Sequence, residues 1–240
     1  MYCHLRRIAT AAALFTCLPA HALDFDFDIV DAPNQNDFRE VSKDVGALLN
    51  GKALTPAEPG GITGFGIGAF AIYVPTDDSG AWQRLTGEDI DEIGLVGLIA
   101  QKGLPFGVDV GASYATVPGS DGRLLGAELR YALIDGGIAT PAVGLRGSFT
   151  SLSGLDDVDY DSYGLDISVS KGFGPLTPYA GVGYVWGQLE ADPQFGLEDE
   201  DVEESRVFVG LRVSAPIGIT PEYERVGDRD SFNLRFGLAF

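Results

Sequence analysis

The most regular feature of the chain is a repeated segment of about ten residues, in which apolar residues alternate with small or polar ones. Successive residues of a β-strand point to opposite faces, so each segment predicts a strand with one apolar face. Proline, glycine or aspartate bounds the segments. Ten of them follow one another, at residues 62–74, 93–101, 106–117, 123–134, 142–152, 160–171, 177–189, 205–215, 217–226 and 231–240.

The fourth segment indicates where its two faces point. Leu129 and Tyr131 share one face, and Glu128 and Arg130 share the other. Charge is costly in hydrocarbon, so the charged face is predicted to line a lumen and the apolar face to contact lipid. The predicted fold class is all-β, an antiparallel transmembrane β-barrel of about ten strands (roughly 8–12) with a short N-terminal amphipathic helix. The same rule gives these candidates for lumen-lining side chains: Asp109, Glu128, Arg130, Arg146, Asp166, Arg206, Arg212, Glu222, Glu224 and Arg235.

The connections between segments alternate in length. Those after even-numbered segments are short, whereas residues 75–92, 152–159 and 190–204 form longer, acidic connections after odd-numbered ones. Short periplasmic turns and long external loops are typical of bacterial outer-membrane barrels, and an even strand count predicts that both termini are periplasmic. The alternative of a soluble, secreted β-protein would require apolar residues inside and charge outside.

Both ends of the chain carry targeting features. Arg6 and Arg7, an apolar stretch and an Ala-His-Ala sequence predict a signal peptide over residues 1–22. The last segment stops at Phe240 and resembles the closing strand of bacterial outer-membrane barrels, whose terminal aromatic residue is recognised for assembly. This resemblance implies the barrel-assembly machinery as a partner, Phe240 as the assembly signal, and the Gram-negative outer membrane, with its lipid and lipopolysaccharide, as the location.

Residues 23–61 form a predicted periplasmic segment that precedes the barrel at residues 62–240 and contains a helix at about residues 38–50. Asp37 and Glu40 have the spacing of a capping box. Five apolar residues share one helix face: Phe38, Val41, Val45, Leu48 and Leu49. A helix of this length is too short to span a bilayer. It therefore plugs the barrel, packs under its periplasmic mouth as a lid, lies on the inner leaflet, or is a tether that shields its own apolar face.

A more specific resemblance involves two stretches near this helix. Residues 37–49 read Asp-Phe-Arg-Glu-Val-Ser-Lys-Asp-Val-Gly-Ala-Leu-Leu, and residues 56–68 read Pro-Ala-Glu-Pro-Gly-Gly-Ile-Thr-Gly-Phe-Gly-Ile-Gly. They are similar to the start of a family of uncharacterised proteobacterial outer-membrane proteins, in which a helix leads through a Pro-Ala-Glu-Pro linker into the first strand. The resemblance implies a small porin-like barrel and no activity. This chain departs from the family at Gly66, where an Asp is common.

The positions of cysteine and histidine limit the chemistry. Cys3, Cys17, His4 and His21 all lie in the predicted signal peptide. After cleavage no disulfide, thiolate or imidazole base remains, and no His or Cys metal site. We therefore predict no catalytic residue, no enzymatic activity and no cofactor.

The chain is strongly acidic, with a formal net charge of −19. Such a surface repels the phosphate backbone of nucleic acid, and we predict no nucleic-acid partner. Asp157, Asp159 and Asp161 have the opening spacing of a calcium loop, but Ser162 and Ser168 occupy the places of its glycine and terminal glutamate. Together with the acidic residues 198–204, they are weak candidates for binding Ca²⁺ or Mg²⁺, and the alternative is a solvated acidic loop.

Aromatic residues near strand ends predict girdles at the two membrane interfaces, formed by Tyr73, Tyr114, Tyr131, Tyr163, Tyr179, Tyr184, Trp186 and Phe240. The charged lumen is either blocked by interlocking ion pairs or open as a wet channel. The sequence thus favours a narrow porin-like passage or a structural barrel, with the helix as plug or lid. The alternative is a surface interaction module whose acidic external loops contact divalent cations, lipopolysaccharide or a partner.

Overall fold

The computed structural model describes residues 28–30 and 33–239, so the predicted signal peptide and Phe240 lie outside the described residues. Ten antiparallel strands form a closed barrel in which each strand pairs with its neighbours in sequence and β1 pairs with β10. The strands are β1 (Phe65–Pro75), β2 (Glu92–Gly103), β3 (Val108–Thr116), β4 (Arg123–Asp135), β5 (Ala142–Ser153), β6 (Val158–Ser170), β7 (Leu176–Ala191), β8 (Glu200–Val213), β9 (Gly218–Val226) and β10 (Arg229–Ala239). Closure leaves no free strand edge. The predicted fold class is confirmed.

Two helices accompany the barrel, α1 (Gln35–Leu49) before β1 and α2 (Ser79–Thr86) between β1 and β2. Helix α1 confirms the predicted helix but begins earlier, because the side chain of Asn34, rather than Asp37, accepts the capping hydrogen bond. Helix α2 was not predicted. The Asp78 side chain caps its start, and Gly87, with φ 81°, ends it in the left-handed conformation. Among the described residues, no helix is long and apolar enough to cross a membrane.

The two ends of the barrel differ. We call the end where β1 finishes and β2 begins the loop end, and the opposite end the turn end. One predicted external loop, residues 190–204, is partly strand instead, since β7 continues to Ala191 and β8 begins at Glu200. The barrel wall extends further at this place, and the extension is stabilised because Leu189 and Val202 point inward and are buried.

The polarity of the wall reverses along the barrel axis. Near the turn end of β6, Asp166 is buried inside while Leu165 is exposed outside. Near the loop end of the same strand, Tyr160 is buried inside and Asp161 is exposed outside. A wall that faces lipid needs an apolar exterior, whereas a wall that faces water needs an apolar interior. The loop half therefore has the pattern of a water-soluble barrel.

Helix α1 lies inside this loop half. It packs against inward faces of β1, β2, β6, β7, β8 and β10, and against α2. The five predicted apolar residues, Phe38, Val41, Val45, Leu48 and Leu49, are all at most 4% exposed. They join one core with Trp82 and Leu85 of α2. Burial of each large apolar side chain contributes about 1.5–3 kcal/mol, which favours this position over a solvated helix.

The chain then continues through the lumen to the turn end. Residues 50–60 bind inward side chains of the wall in sequence order until Gly60 meets Asp109, near the start of β3. Residues 35–60 of this predicted segment thus lie inside the barrel, because their polar backbone finds partners there. We name residues 35–60 the lumen segment.

The described chain begins at the loop end and finishes at the turn end. The Val30 amide donates to the Leu85 carbonyl oxygen (2.9 Å) and the Ile29 amide donates to Asp157 Oδ2 (2.8 Å), whereas Ala239 pairs with Gly66 at the start of β1. The barrel strands themselves begin and end at the turn end, as an even strand count predicts, whereas residues 28–30 lie at the loop end. Passage of the lumen segment through the barrel separates the two ends.

A disulfide tests the position of α1. An ideal Cβ on Gly46 lies 3.4 Å from Val202 Cβ of β8, close to the separation of about 3.5–4.5 Å that a disulfide needs. No cysteine follows residue 17. We expect Gly46→Cys with Val202→Cys to form a disulfide on oxidation, measured as a gel shift that reductant reverses. The control pair, Gly46→Cys with Val207→Cys on the outer face, stays reduced; equal cross-linking of both pairs contradicts this placement.

Candidate functional site

The occupied lumen is the candidate functional site, and its uppermost tier joins α1 to the loop end. Asp44 of α1 accepts hydrogen bonds from Trp82 Nε1 (2.9 Å) and Arg229 Nε (2.6 Å). Arg229 also pairs with Glu40, and Arg84 of α2 pairs with Asp37 (2.8 Å). Burial raises the pKa of Asp44 to about 6, against the opposing effect of Trp82 and Arg229. Helix α2 therefore covers α1 through both apolar and charged contacts.

The C-terminus of α1 is buried in the lumen, where its last carbonyl groups need donors. Lys52 Nζ donates to the Ala47 carbonyl (2.5 Å), and Thr150 Oγ1 of β5 donates to the Leu49 carbonyl (2.8 Å). The Asn50 side chain also donates to the Ala47 carbonyl (3.1 Å). A cation at this position is favourable, because the helix dipole is negative at its C-terminus. The wall and the following residues thus complete the helix.

Lys52 is the buried cation of the lumen segment. Its Nζ lies 2.6 Å from Glu224 Oε1 of β9, and both side chains are almost fully buried. Removal of one partner from a buried pair leaves an uncompensated charge, at a cost of about 3–5 kcal/mol.

Two wall arginines form the middle tier. Arg146 of β5 pairs with Glu128 and Asp166 (2.8 and 2.9 Å), and Arg206 of β8 also pairs with Asp166. Each arginine also donates to the lumen segment: Arg146 to the Lys52 carbonyl (2.6 Å) and Arg206 to the Gly51 carbonyl (2.8 Å). The planar guanidinium group allows this double use, since it presents five donors in a fixed geometry.

Glu222 of β9 anchors the next residues toward the turn end. Its carboxylate accepts hydrogen bonds from the Leu54 amide (2.9 Å), the Tyr179 hydroxyl (2.8 Å) and Asn233 (3.1 Å). Tyr179 is 3% exposed and points inward. Its predicted place in an aromatic girdle is wrong, because it lies one residue out of phase with the outward Tyr184 and Trp186 of the same strand.

Wall side chains also hold the last residues of the lumen segment. Arg130 donates to the Pro56 and Glu58 carbonyls (2.9 and 3.0 Å), and Asp109 accepts from the Gly60 amide (3.0 Å). Arg235 donates to Thr55 (2.8 Å). Every tier thus joins the wall to this segment.

All ten predicted lumen residues lie on the inner face of the wall. The structure brings Glu128, Arg146, Asp166, Arg206 and Glu224 into one connected group of charges. The prediction missed their partners in the lumen segment and wall: Asn50, Lys52, Gln101 and Tyr179. The alternation of β2 and β7 could have placed Gln101 and Tyr179 on the inner face. Nothing in the local sequence around Lys52 indicates that it is buried.

The predicted weak metal residues do not converge. Asp157 accepts a hydrogen bond from the Ile29 amide, and Asp159 and Asp161 are exposed on the outer face of β6. In the part of the chain that the structure describes, no group of three or more His, Cys, Asp or Glu side chains is placed to hold a metal ion.

The lumen beside the segment has little free space. One cavity, between residues 51–54 and the walls of β3, β4 and β5, holds about 30 Å³, and another, near residues 53–57, holds about 10 Å³. Such volumes accommodate about one or two water molecules. The arrangement therefore binds the lumen segment, and neither of these two cavities holds more than water.

No protein-family profile matches the chain, and a comparison with curated proteins gives no match. Among solved structures, KdgM porin has a TM-score of 0.34 at 9% identity, covering 72% of this chain and 99% of that one. Ail, the attachment invasion locus protein of Yersinia pestis, has a TM-score of 0.33 at 15% identity, covering 74% and 97%. A loop-deletion mutant of OmpT, an outer membrane protein of Vibrio cholerae, has a TM-score of 0.33 at 14% identity and 61% coverage; this chain spans about half (54%) of it. The fold assignment rests on the strand order of this chain itself.

The pH dependence of stability tests the environment of Asp44. Its pKa is raised from 3.8 to about 6, so its stabilising contribution is complete below the unfolded value and is lost as the pH rises through 6. Lowering the pH from 7 to 5 should therefore add about 1 kcal/mol of unfolding free energy from Asp44 alone. We expect urea unfolding to show this gain in the unaltered chain relative to Asp44→Asn. Parallel pH curves for the two proteins contradict the assignment.

Proposed function

We propose that this chain is an integral outer-membrane β-barrel that its own lumen segment keeps closed, with a structural rather than enzymatic role. One observation carries the proposal: the segment occupies the lumen from the loop end to the turn end and binds the wall in every tier. Of the functions that the sequence favours, this one corresponds to the structural barrel with a plug.

The outer surface supports placement in a membrane. Large apolar side chains are exposed on strands around the barrel, among them Leu98, Leu129, Leu165, Val182 and Val209, each more than half exposed. Contiguous apolar surface of this kind marks contact with a partner or lipid. Its position on alternating residues of consecutive strands fits a lipid-facing band.

The energetics of the lumen support closure. Escape of the segment would leave Glu224, Arg146 and Arg206 without their partners in the segment. It would also expose the apolar face of α1, whose residues are buried in the core. Breaking the buried Lys52–Glu224 pair alone costs about 3–5 kcal/mol, and the loss of apolar burial adds to it, so the open state is a minor population.

The loop end fits the external side of the membrane. Outward acids cover the wall there, and the apolar band lies nearer the turn end. In this orientation the C-terminal strand ends on the periplasmic side, and residues 28–30 lie on the external side. We therefore propose that the start of the described chain is at the cell surface.

Planar-bilayer conductance tests closure. We expect the refolded chain from residue 23 onward to give no stable current steps, because the lumen segment fills the barrel. A version that lacks residues 23–59 should give steps, because its lumen then holds only wall side chains. Heat-dependent gel mobility checks that each protein has folded.

The Gly46→Cys/Val202→Cys protein makes this test decisive even if the truncated chain does not fold. With its disulfide formed, α1 cannot leave the barrel. Silence of this oxidised protein supports closure, whereas regular conductance steps from it would show that ions pass beside the plug.

A second candidate function, the surface interaction module, is supported by the outer wall at the loop end. Asp159 and Glu190 are paired neighbours of β6 and β7, and both are exposed, as are Asp161, Asp201 and Glu203 nearby. Adjacent like charges repel one another, and divalent cations relieve such repulsion through carboxylate oxygens. We propose that these acids contact lipopolysaccharide through bridging Mg²⁺ or Ca²⁺.

Charge removal tests this second function. We expect Asp159→Asn, Asp161→Asn and Glu203→Gln together to reduce Mg²⁺-dependent lipopolysaccharide retention several-fold, measured on protein purified from outer membranes with and without a chelator. The matched control removes three exposed charges elsewhere at the same end: Glu88→Gln, Asp89→Asn and Asp91→Asn. An equal loss of lipopolysaccharide retention in both variants would show that net charge alone determines retention and would contradict the proposed contact.

A peptide tag ahead of Asp28 tests the orientation of the barrel. We expect an antibody against the tag to stain intact cells.

A further inference from the structure

A cationic cavity lies at the turn end, separate from the closed part of the lumen. It holds about 220 Å³ and is bounded by the last residues of the lumen segment and by strands β1, β2, β3, β4, β8 and β10. Three arginines line it, Arg130, Arg212 and Arg235. Lys102 also borders it, but its ammonium group donates to the Ile62 and Gly64 carbonyls. In a chain of net charge −19, three arginines around one cavity run against the overall composition.

Two of the three arginines use only part of their hydrogen-bonding capacity. Arg130 donates through Nη2 to the Pro56 and Glu58 carbonyls, and Arg235 donates through Nη1 to Thr55 and Gln101. A guanidinium group carries five N–H donors on three nitrogens. One terminal nitrogen of each group, Nη1 of Arg130 and Nη2 of Arg235, forms no hydrogen bond with the described residues.

Arg212 is the third arginine, and no side chain or backbone group of the described residues forms a hydrogen bond or close ion pair with it. It is partly buried on the inner face of β8, where Arg130 repels it and Glu58 attracts it without forming a close ion pair. A partly buried charge without a hydrogen-bond partner is unfavourable, and proteins usually pair such a group. Arg212 instead lines the turn-end cavity, where a ligand could pair with it.

The acids of the cavity do not neutralise it. Asp109 already accepts hydrogen bonds from the Gly60 amide and lies 3.5 Å from Arg130. Glu58 is the other acid that lines the cavity, and it is exposed, so water screens its charge. Three arginines against two acids leave an excess of positive charge.

From this geometry we infer that the cavity binds a phosphate group, with Arg212 as its principal ligand and Arg130 and Arg235 as further donors. Arginine matches the geometry of oxyanions through its paired N–H donors. A tetrahedral dianion offers enough oxygens for three guanidinium groups on different strands, whereas a carboxylate offers two. The group belongs to a soluble phosphorylated compound or to a lipid headgroup.

Calorimetric titration with inorganic phosphate tests the inference on the refolded chain from residue 23 onward in uncharged detergent, with chloride at equal ionic strength as reference. We expect saturable phosphate binding, and a loss of affinity of about ten- to one-hundred-fold in Arg212→Gln. Because Arg212 has no internal partner, this variant should keep the heat-dependent gel mobility of the barrel.

Arg225→Gln is the matched control, since Arg225 lies on the neighbouring strand near the loop end and pairs with Asp230. It removes the same charge and should bind phosphate as the unaltered chain does. Arg212→Lys, which keeps the charge but loses the paired donors, should give intermediate affinity. Equal affinity of Arg212→Gln and the unaltered chain, or a phosphate response no larger than that of chloride, overturns the inference.

Repetition in phosphatidylglycerol bilayer discs distinguishes the two sources of the phosphate group. Unchanged affinity for inorganic phosphate there indicates a soluble phosphorylated ligand. A reduced affinity for inorganic phosphate that returns when the protein is transferred back to uncharged detergent indicates that the lipid headgroup occupies the same cavity. Both outcomes retain Arg212 as the ligand.

Discussion

Arg146 and Arg206 hold the wall and the lumen segment together, because each binds a wall carboxylate and a backbone carbonyl of the segment at once. Inside a barrel, the carboxylates alone would repel one another and the carbonyls alone would lack donors. The two guanidinium groups satisfy both. Since Asp166 binds both arginines, the wall charges and the segment form a single polar network whose parts depend on one another.

This network fixes where the apolar part of the segment lies. With Gly51 and Lys52 bound to the arginines, α1 extends into the loop half of the barrel, where Tyr160, Leu189 and Val202 point inward. The loop half can present an apolar interior because its outer face is acidic and faces water. The arrangement thus has three parts that depend on one another. They are the polar network in the middle, the apolar core around α1, and the change of wall polarity along the barrel axis.

The same arrangement bears on function. In the middle of the lumen, the charged side chains that the structure describes are already paired with one another or with the lumen segment, which leaves none to select a charged solute. Groups that remain free lie at the two ends, as exposed acids outside the loop end and as Arg212 in the turn-end cavity. We therefore look for binding at the ends of the barrel and for mechanical stability in its middle.

The alternation of side chains by itself determined ten strands, their approximate bounds and the inward position of the charged residues, because strand geometry allows only two faces. It also predicted the apolar face of α1. Only the tertiary structure decided that this face lies inside the barrel, since a helix pattern shows that a partner is needed and not which one. For the same reason Lys52 reads as a surface residue in sequence, although Glu224, distant in the chain, makes it a buried ion-pair partner. The extension of β8 into the predicted loop could not be predicted from the local sequence either. The acidic residues at the start of β8 resemble a solvated loop, and only the packing of Val202 in the core shows that they belong to a strand.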